Sequence, residues 1–490
     1  MSAIISSIQK KDSGVLPIFV GGKWREGSDN QSFSIISPSS QRIVREVTKA
    51  SIDDASEAVE AAFLSRNLIG GMPAFNRAEI LSKTAELLKN NQEEFVNVIV
   101  EEAGKPIKDA RSEVKAAIER LVFGAEEAHT ISGTSLRGDT VSGPTAKLGM
   151  VLRQPLGVIL AITPFNYPLY ITIAKLAPAI ASGNSVVIKP ASSDPTVSLM
   201  LAHLFEEAGL PGGVLNVVTG GGKELGDILV SHPKINMITF TGNTNTGYRI
   251  AEKAVFAKLH LELGGKCPGI VLSPCDLDLA AKECVKGAYK YSGQRCDAIS
   301  RVLVEASLYD SFVEKALVEA KKWKMGDLDN EETEMGPLIS EEGMKKVVDL
   351  VGEAILQGAK VLLGGGPLKG LYFAPTVLSE VTTKMRISWE ETFGPVLSII
   401  KVNDYKEAIE VANKSEYGLD ASVFTSDIDL ALNAASLLET GTVQINGAPA
   451  HGLGNFPYGG DESSGMGREG LFVSAEEMTR LHTIVFNPQK

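Results

Sequence analysis

Residues 157–189, GVILAITPFNYPLYITIAKLAPAIASGNSVVIK, contain the pattern that decides the fold. The continuously apolar run Val158–Ile162 predicts a buried strand. Residues 169–182 predict a helix that ends at Gly183, and Ser185–Lys189 predict the next strand. Because continuously apolar strands joined by helices are typical of parallel sheets covered on both faces, this stretch indicates an α/β protein.

The same alternation extends in both directions along the chain. A helix is predicted over 195–208, and further strands are predicted over 215–218, 237–240, 270–272, 302–304, 361–363, 396–400, 421–424 and 442–445. Amphipathic helices precede them, one after the N-cap Ser51 and one over 77–89. Two β-like segments, 146–153 and 483–486, do not fit the alternation, and either could pair with another subunit.

Length and charge exclude several functional classes. At about 100–200 residues per domain, 490 residues predict two or three domains. The net charge of −12, without clustered Lys and Arg, argues against nucleic-acid binding. No apolar run is long enough to span a bilayer, and the N-terminus lacks a secretory signal, which predicts a cytoplasmic protein.

Cysteine and histidine usage predicts free thiols and no metal site. The four cysteines show no CxxC spacing, and the six histidines are scattered.

Cys296, in the run Gly293-Gln294-Arg295-Cys296, is a candidate nucleophile. A reactive cysteine needs a lowered pKa, which the adjacent Arg295 would provide. The alternative for any single cysteine is a buried, inert thiol.

Two further motifs suit acyl chemistry. Glu262 lies between two leucines ahead of Gly264-Gly265, and apolar neighbours raise a carboxyl pKa toward the range of a general base. Asn166, braced by Pro164 and Pro168, presents an amide that can donate to a developing oxyanion. Taken alone, each motif also has a purely structural explanation. Glu262 could be an ordinary glutamate at the end of a strand, and Asn166 could belong to a turn braced by prolines.

Glycine-rich turns over 220–226 and 240–247 each join a predicted strand to a helix. Such turns allow the backbone amides of a helix N-terminus to meet a pyrophosphate. The usual dinucleotide fingerprint follows the first strand, where this chain has the loop Pro164–Pro168 instead. The turns alone therefore leave the cofactor open.

Taken in order, these motifs resemble the aldehyde dehydrogenase superfamily from residues 19–24 to the C-terminus. The matching pieces are 164–168, 188–190, 240–247, 262–266, 293–296 and 390–395. The resemblance implies an α/β fold with two Rossmann-like parallel-sheet domains and a small β oligomerisation element. It places a cofactor domain at 1–135 and 154–262, a catalytic domain at 263–465 and the oligomerisation element at 136–153 and 466–490. A homo-oligomer, dimer or tetramer, is expected.

The resemblance also implies the catalytic roles. Cys296 attacks the aldehyde, while the Asn166 amide and the Cys296 backbone N–H hold the oxyanion. Hydride passes to a nicotinamide, and Glu262 activates the water that hydrolyses the thioester.

Eight residues are expected to contact the cofactor or pack beside it: Lys189, Ser192, Gly222, Gly242, Asn243, Gly247, Glu391 and Phe393. Family members restricted to NAD often have Glu at the position of Ser192, which would repel a 2′-phosphate. The uncharged Ser192 therefore favours NADP, with NAD also possible.

Within the superfamily the chain most resembles non-phosphorylating glyceraldehyde-3-phosphate dehydrogenase, particularly its archaeal form. Arg295, Tyr167 and the segment 446–460 carry this likeness. Guanidinium suits a phosphorylated substrate, although Arg295 could equally tune the thiol or form a structural ion pair. Bacterial members have Arg where this chain has Ala116 and His451, so the anion pocket is built differently, with His451 a candidate contact.

The leading hypothesis is NADP-linked oxidation of glyceraldehyde 3-phosphate to 3-phosphoglycerate without inorganic phosphate. One alternative is the same chemistry on another small aldehyde, such as lactaldehyde, glyceraldehyde or succinic semialdehyde. A more remote one is a catalytically silent structural or binding protein of this fold.

Overall fold

The computed structural model describes residues 3–9, 14–140, 142, 146–450 and 456–487. Helices α1 to α15 span, in chain order, Ala3–Ile8, Ile52–Gly70, Ala74–Asn90, Gln92–Ala103, Ile107–Thr130, Tyr170–Ala181, Thr196–Glu207, Gly222–Val230, Thr244–Lys253, Leu277–Tyr289, Tyr309–Ala320, Glu341–Leu356, Tyr405–Asn413, Ile428–Leu437 and Leu471–Glu477. Strands β1 to β23 span Val15–Leu16, Ile18–Val20, Lys23–Arg25, Gln31–Ile36, Ile43–Lys49, Thr134–Arg137, Leu148–Pro155, Val158–Ile162, Ser185–Lys189, Leu215–Val217, Met237–Thr241, Lys258–Glu262, Pro268–Val271, Arg301–Glu305, Lys360–Leu363, Thr376–Val381, Val396–Val402, Tyr417–Gly418, Asp420–Phe424, Thr442–Ile445, Asp461–Glu462, Gly465–Met466 and Thr479–Phe486.

The first large sheet has the strand order β22-β12-β11-β8-β9-β10-β2-β3. Its five central strands, β12 to β10, run parallel, and antiparallel strands close both edges. The central strands β8 to β11 are almost wholly buried, as continuous apolar runs require in a sheet covered on both faces. The predicted α/β class is confirmed.

The second large sheet has the order β15-β16-β17-β14-β13-β19-β20. It is parallel except for β15, which pairs antiparallel with β16. The sequence pattern missed β16 and β12, while the strands over 158–162, 185–189 and 442–445 have the predicted bounds.

The two stray β segments pair with each other within the chain. β23 runs antiparallel to β7 from Thr479 opposite Pro155 to Phe486 opposite Leu148, and β6 covers the other side of β7. Apolar side chains such as Leu481 and Val485 are exposed on this sheet. Its role in oligomerisation and the domain boundaries stay predictions.

Among the described residues, no helix is long and apolar enough to cross a membrane. The cytoplasmic location stays a prediction.

Candidate active site

The predicted site residues converge between the two large sheets. Asn166 and Lys189 lie at or just after the carboxyl ends of β8 and β9, and Gly242 and Glu262 do the same for β11 and β12. Because these strands are parallel, their carboxyl ends share one edge of the first sheet. The second sheet contributes the loops that precede its strands, including Cys296 ahead of β14 and the segment 391–393 ahead of β17.

The loop before Cys296 is held in a left-handed backbone conformation. Tyr291, Ser292 and Gly293 have φ angles of 51°, 55° and 69°. The Tyr291 hydroxyl donates to the Ala103 carbonyl at 2.7 Å, and the Ser292 hydroxyl donates to the Gly336 carbonyl at 2.7 Å. These buried anchors fix a conformation that non-glycine residues seldom adopt.

Cys296 lines two cavities at once. The larger has a volume of about 880 Å³ and also contacts Asn166, and the smaller has a volume of about 170 Å³. The Cys296 Sγ lies 3.8 Å from the Tyr458 hydroxyl. A group bound in either cavity therefore reaches the sulfur, which is the arrangement that a reaction between two ligands needs.

The prediction of a lowered pKa for the Cys296 thiol is wrong in this structure. Burial and the Asp297 carboxylate raise the pKa of Cys296 far above its usual range, and the Tyr458 hydrogen bond lowers it by less. Arg295 is itself buried and paired with Asp297, with Nε 3.0 Å from Oδ1. Its charge is thus compensated by a neighbour that sequence adjacency did not reveal.

Asn166 lies beside the nucleophile loop, as predicted. Its side-chain amide is buried and donates to the Gln294 carbonyl at 3.0 Å. An amide nitrogen has two hydrogens, so a second N–H remains for an oxyanion. This catalytic role stays a prediction.

Glu262 is buried but is not among the described residues that line either cavity. Its Oε1 lies 3.2 Å from His260 Nε2. Burial raises the pKa of Glu262, and the hydrogen bond and charge of His260 lower it. In this arrangement the carboxylate is turned into the protein and must rotate to meet a water at Cys296.

Most of the predicted cofactor residues line the larger cavity: Lys189, Gly222, Gly242, Asn243, Glu391 and Phe393. Ser192 lies outside this lining, exposed, with its hydroxyl donating to the Gly220 carbonyl at 2.9 Å. Gly247 is buried under Leu263, where an added Cβ would come within 2.5 Å of the leucine side chain. Its packing role is therefore plain from the geometry.

The larger cavity fits an extended dinucleotide. Its volume lies within the range of roughly 300–1,000 Å³ typical of cofactor sites, and the N-termini of α8 and α9 supply backbone amides for phosphates. Lys189 is buried, and burial lowers its pKa to about 8. Lys223 also lines this cavity but was not among the predicted residues. Its position directly after Gly222 was the available signal.

The smaller cavity contains three cationic and three acidic side chains. Lys105 pairs with Glu113, and Arg295 pairs with Asp297. Lys290 and Asp109 face the same space, and Ala116 also lines it. Tyr167 lines this cavity as predicted, under the Lys105 ammonium at 3.6 Å from its ring centre. His451 lies outside the described residues.

Within the part of the chain that the structure describes, no group of three or more His, Cys, Asp or Glu side chains could hold a metal ion. The four cysteines are free.

Comparison with known proteins is consistent with this geometry. The model of the aldehyde dehydrogenase family matches residues 24–484. The chain is 38% identical to an NADP-dependent glyceraldehyde-3-phosphate dehydrogenase of Pisum sativum, over 97% of this chain and 96% of that protein. It is also 38% identical to a lactaldehyde dehydrogenase of Methanocaldococcus jannaschii, over 96% of this chain and 100% of that protein.

A solved structure is equally similar. The NADP-dependent glyceraldehyde-3-phosphate dehydrogenase from Bacillus halodurans C-125, complexed with NADP, superposes with a TM-score of 0.94 at 40% identity. The match covers 96% of this chain and 99% of the other.

The raised thiol pKa leads to a prediction about reactivity. Asp297→Asn removes a carboxylate that disfavours the thiolate, so alkylation of Cys296 by iodoacetamide near neutral pH should accelerate by about tenfold for each unit that the pKa falls. The rate is measured across pH by mass spectrometry, with Cys296→Ala identifying the labelled peptide. An alkylation rate in the parent protein that is already independent of pH from neutrality upward would contradict the raised pKa.

Proposed function

This chain belongs to the aldehyde dehydrogenase family, and we propose that it oxidises glyceraldehyde 3-phosphate to 3-phosphoglycerate with NADP, without inorganic phosphate. The coarser activity, NAD(P)-dependent oxidation of an aldehyde, follows from the family itself. The phosphorylated substrate and the preference for NADP are the proposal.

The position of Cys296 between a cofactor-sized cavity and a small charged cavity carries this proposal. At about 170 Å³, the smaller cavity is well below the size of a site for a drug-sized ligand and suits an aldehyde of a few carbon atoms. Arg295 and Lys290 both line it, and either can meet a phosphate. Relatives named for glyceraldehyde 3-phosphate support the same substrate.

In the first half-reaction, Cys296 Sγ forms a bond to the aldehyde carbon. Because burial keeps the Cys296 thiol protonated near neutral pH, its proton leaves to solvent as this bond forms. The second N–H of the Asn166 amide and the Cys296 backbone N–H stabilise the oxyanion. A bound nicotinamide supplies the hydride acceptor, and the carbon remains on Cys296 as a thioester.

In the second half-reaction, Glu262 takes a proton from water as the water oxygen attacks the thioester carbon. The C–S bond then breaks, which releases the carboxylic acid and returns the thiol. The raised pKa of Glu262 makes the carboxylate a stronger base than an exposed glutamate.

The preference for NADP rests on two residues, Ser192 near the larger cavity and Lys223 in its lining. Ser192 carries no charge that would repel a 2′-phosphate, and Lys223 supplies a cation on the same side of the cavity as Gly222. The relative crystallised with NADP supports this choice.

A second candidate substrate is a small uncharged hydroxyaldehyde such as lactaldehyde. The acidic side chains of the smaller cavity equal the cationic ones in number, and Arg295 already has a carboxylate partner. Such a balanced lining needs no anionic ligand to satisfy it, and one similar relative is named for lactaldehyde.

The assigned roles predict distinct kinetic losses. Cys296→Ala should abolish turnover and leave cofactor binding, as measured by fluorescence titration, unchanged.

Glu262→Gln should retain a burst of NADPH and then slow by at least about a hundredfold, because the glutamine amide cannot take a proton from water as the glutamate carboxylate does. An unchanged steady rate in Glu262→Gln would place the base elsewhere.

Substrate choice is tested by kcat/KM for glyceraldehyde 3-phosphate, glyceraldehyde and lactaldehyde without inorganic phosphate. The phosphorylated aldehyde should have an advantage of about a hundredfold, equal to about 2.7 kcal/mol of transition-state binding. Lys290→Gln should reduce that advantage, whereas Lys286→Gln, one turn earlier and paired with Glu283 outside the cavity, should not. A flat ranking would favour the uncharged substrate.

Cofactor choice is tested by initial rates with NADP and NAD. Lys223→Gln should raise the KM for NADP by about tenfold and leave that for NAD nearly unchanged, since only NADP has the 2′-phosphate. Lys234→Gln, at a lysine that pairs with Glu60 outside the cavity lining, is the control. Strict use of NAD by the parent enzyme would end the NADP proposal.

A further inference from the structure

Glu262 belongs to a line of three titratable groups, of which Glu262 and His260 are buried. His260 lies between two carboxylates, with Nε2 at 3.2 Å from Glu262 Oε1 and Nδ1 at 2.6 Å from Glu477 Oε2. His260 and Glu262 are two residues apart on β12, so their side chains lie on the same side of the strand. Glu477 comes from the end of α15, far along the chain, and is partly exposed.

The outer carboxylate of this line is held in place by its surroundings. The Arg468 backbone N–H donates to Glu477 Oε1 at 3.2 Å, and Lys258 Nζ donates to the Glu477 carbonyl at 2.6 Å. Gly467, at φ 90°, leaves room for the contact, because an added Cβ would lie 3.0 Å from both His260 Nδ1 and Glu477 Oε2. The backbone is thus shaped around the His260–Glu477 contact.

The two carboxylates favour a charged imidazole. Burial lowers the pKa of His260, but the hydrogen bonds of Glu262 and Glu477 and the charges of Glu262 and Glu469 together outweigh burial and raise that pKa to about 9. Glu469 Oε1 lies 4.0 Å from His260 Nε2. His260 is therefore an imidazolium near neutral pH, and both its N–H groups donate. The same contact lowers the pKa of Glu477.

Two other charged groups face Glu262. Glu469, in the segment before α15, raises the pKa of Glu262, and Lys175 of α6 lowers it. Lys175 Nζ lies 2.7 Å from Glu469 Oε1, and the two charges act on the pKa of Glu262 in opposite directions. Burial of the carboxylate raises the pKa of Glu262, and His260 lowers that pKa by more than Lys175 does.

We propose that His260, fixed by Glu477, is a positioning residue that keeps Glu262 ionised as the general base of thioester hydrolysis. The inference rests on the proposed role of Glu262. His260 moves no proton in this scheme, and its charge sets the state of the carboxylate before Glu262 turns toward the water. A His260 that only fills space in the core would leave that state unchanged.

The sign of the effect follows from the charges. Without the imidazolium, burial and Glu469 act on Glu262 with less opposition, so the pKa of the base rises. Below that pKa the hydrolysis rate falls about tenfold for each pH unit, because only the carboxylate accepts a proton. At pH above the new pKa the rate returns.

The test is the rate of the phase after the NADPH burst, measured from about pH 5 to pH 10 with the best aldehyde of the parent enzyme. In His260→Gln the acidic midpoint should move upward by at least about one unit, with the burst amplitude and the alkaline plateau retained. Glu477→Gln, at the partly exposed end, should move it in the same direction by less. Glu476→Gln, at the neighbouring carboxylate that pairs with Arg153, should leave it unmoved.

An unchanged midpoint in both His260→Gln and Glu477→Gln would overturn the inference, as would a loss of equal size at every pH. If His260→Gln does not fold, the midpoint of Glu477→Gln decides alone. Glu262→Gln distinguishes the role of Glu262 from that of His260. A normal steady rate in Glu262→Gln refutes the assignment of Glu262 as the base. A slow steady rate in Glu262→Gln, together with unchanged midpoints in His260→Gln and Glu477→Gln, refutes only the role of His260.

Discussion

The position of Cys296 depends on three consecutive residues in the left-handed region of backbone space. Each non-glycine residue held there costs roughly 1–3 kcal/mol, and Tyr291 and Ser292 are held by hydroxyl hydrogen bonds to distant carbonyls. At Gly293 a Cβ would lie 2.2 Å from the Gly394 carbonyl oxygen, so no larger residue fits. This backbone geometry brings the sulfur to the junction of the two cavities.

Burial is the second constraint, and it explains why several charges in the site are paired with an opposite charge. A buried charge is costly unless a partner compensates it. Arg295 with Asp297, Lys175 with Glu469, and His260 with its two carboxylates all meet this requirement. In such surroundings the protonation state of a catalytic group depends on its charged neighbours more than on the ordinary pKa of its side chain.

The same constraint links architecture to substrate. Relatives of similar identity are named for a phosphorylated and for an uncharged aldehyde, although the chains match over nearly their whole length. The shared fold therefore does not set the substrate, and in this chain we assign that choice to the side chains of the smaller cavity. Lys290 and Ala116 line that cavity in this chain, whereas the sequence pattern had pointed mainly to Arg295.

The sequence by itself determined the α/β class, the bounds of strands such as Val158–Ile162 and Ser185–Lys189, and the identity of the residues that gather at the site. Those features depend on apolar runs and turn residues within a few positions, or on motifs that keep their order. The pairing of Arg295 with Asp297, the raised pKa of Cys296 and the contact of His260 with Glu477 were decided only by the tertiary structure. The alternation of His260 and Glu262 along one strand was visible in the sequence, but the carboxylate that completes the line is 217 positions away. Protonation depends on burial and on distances between charges from remote segments, and local periodicity contains neither.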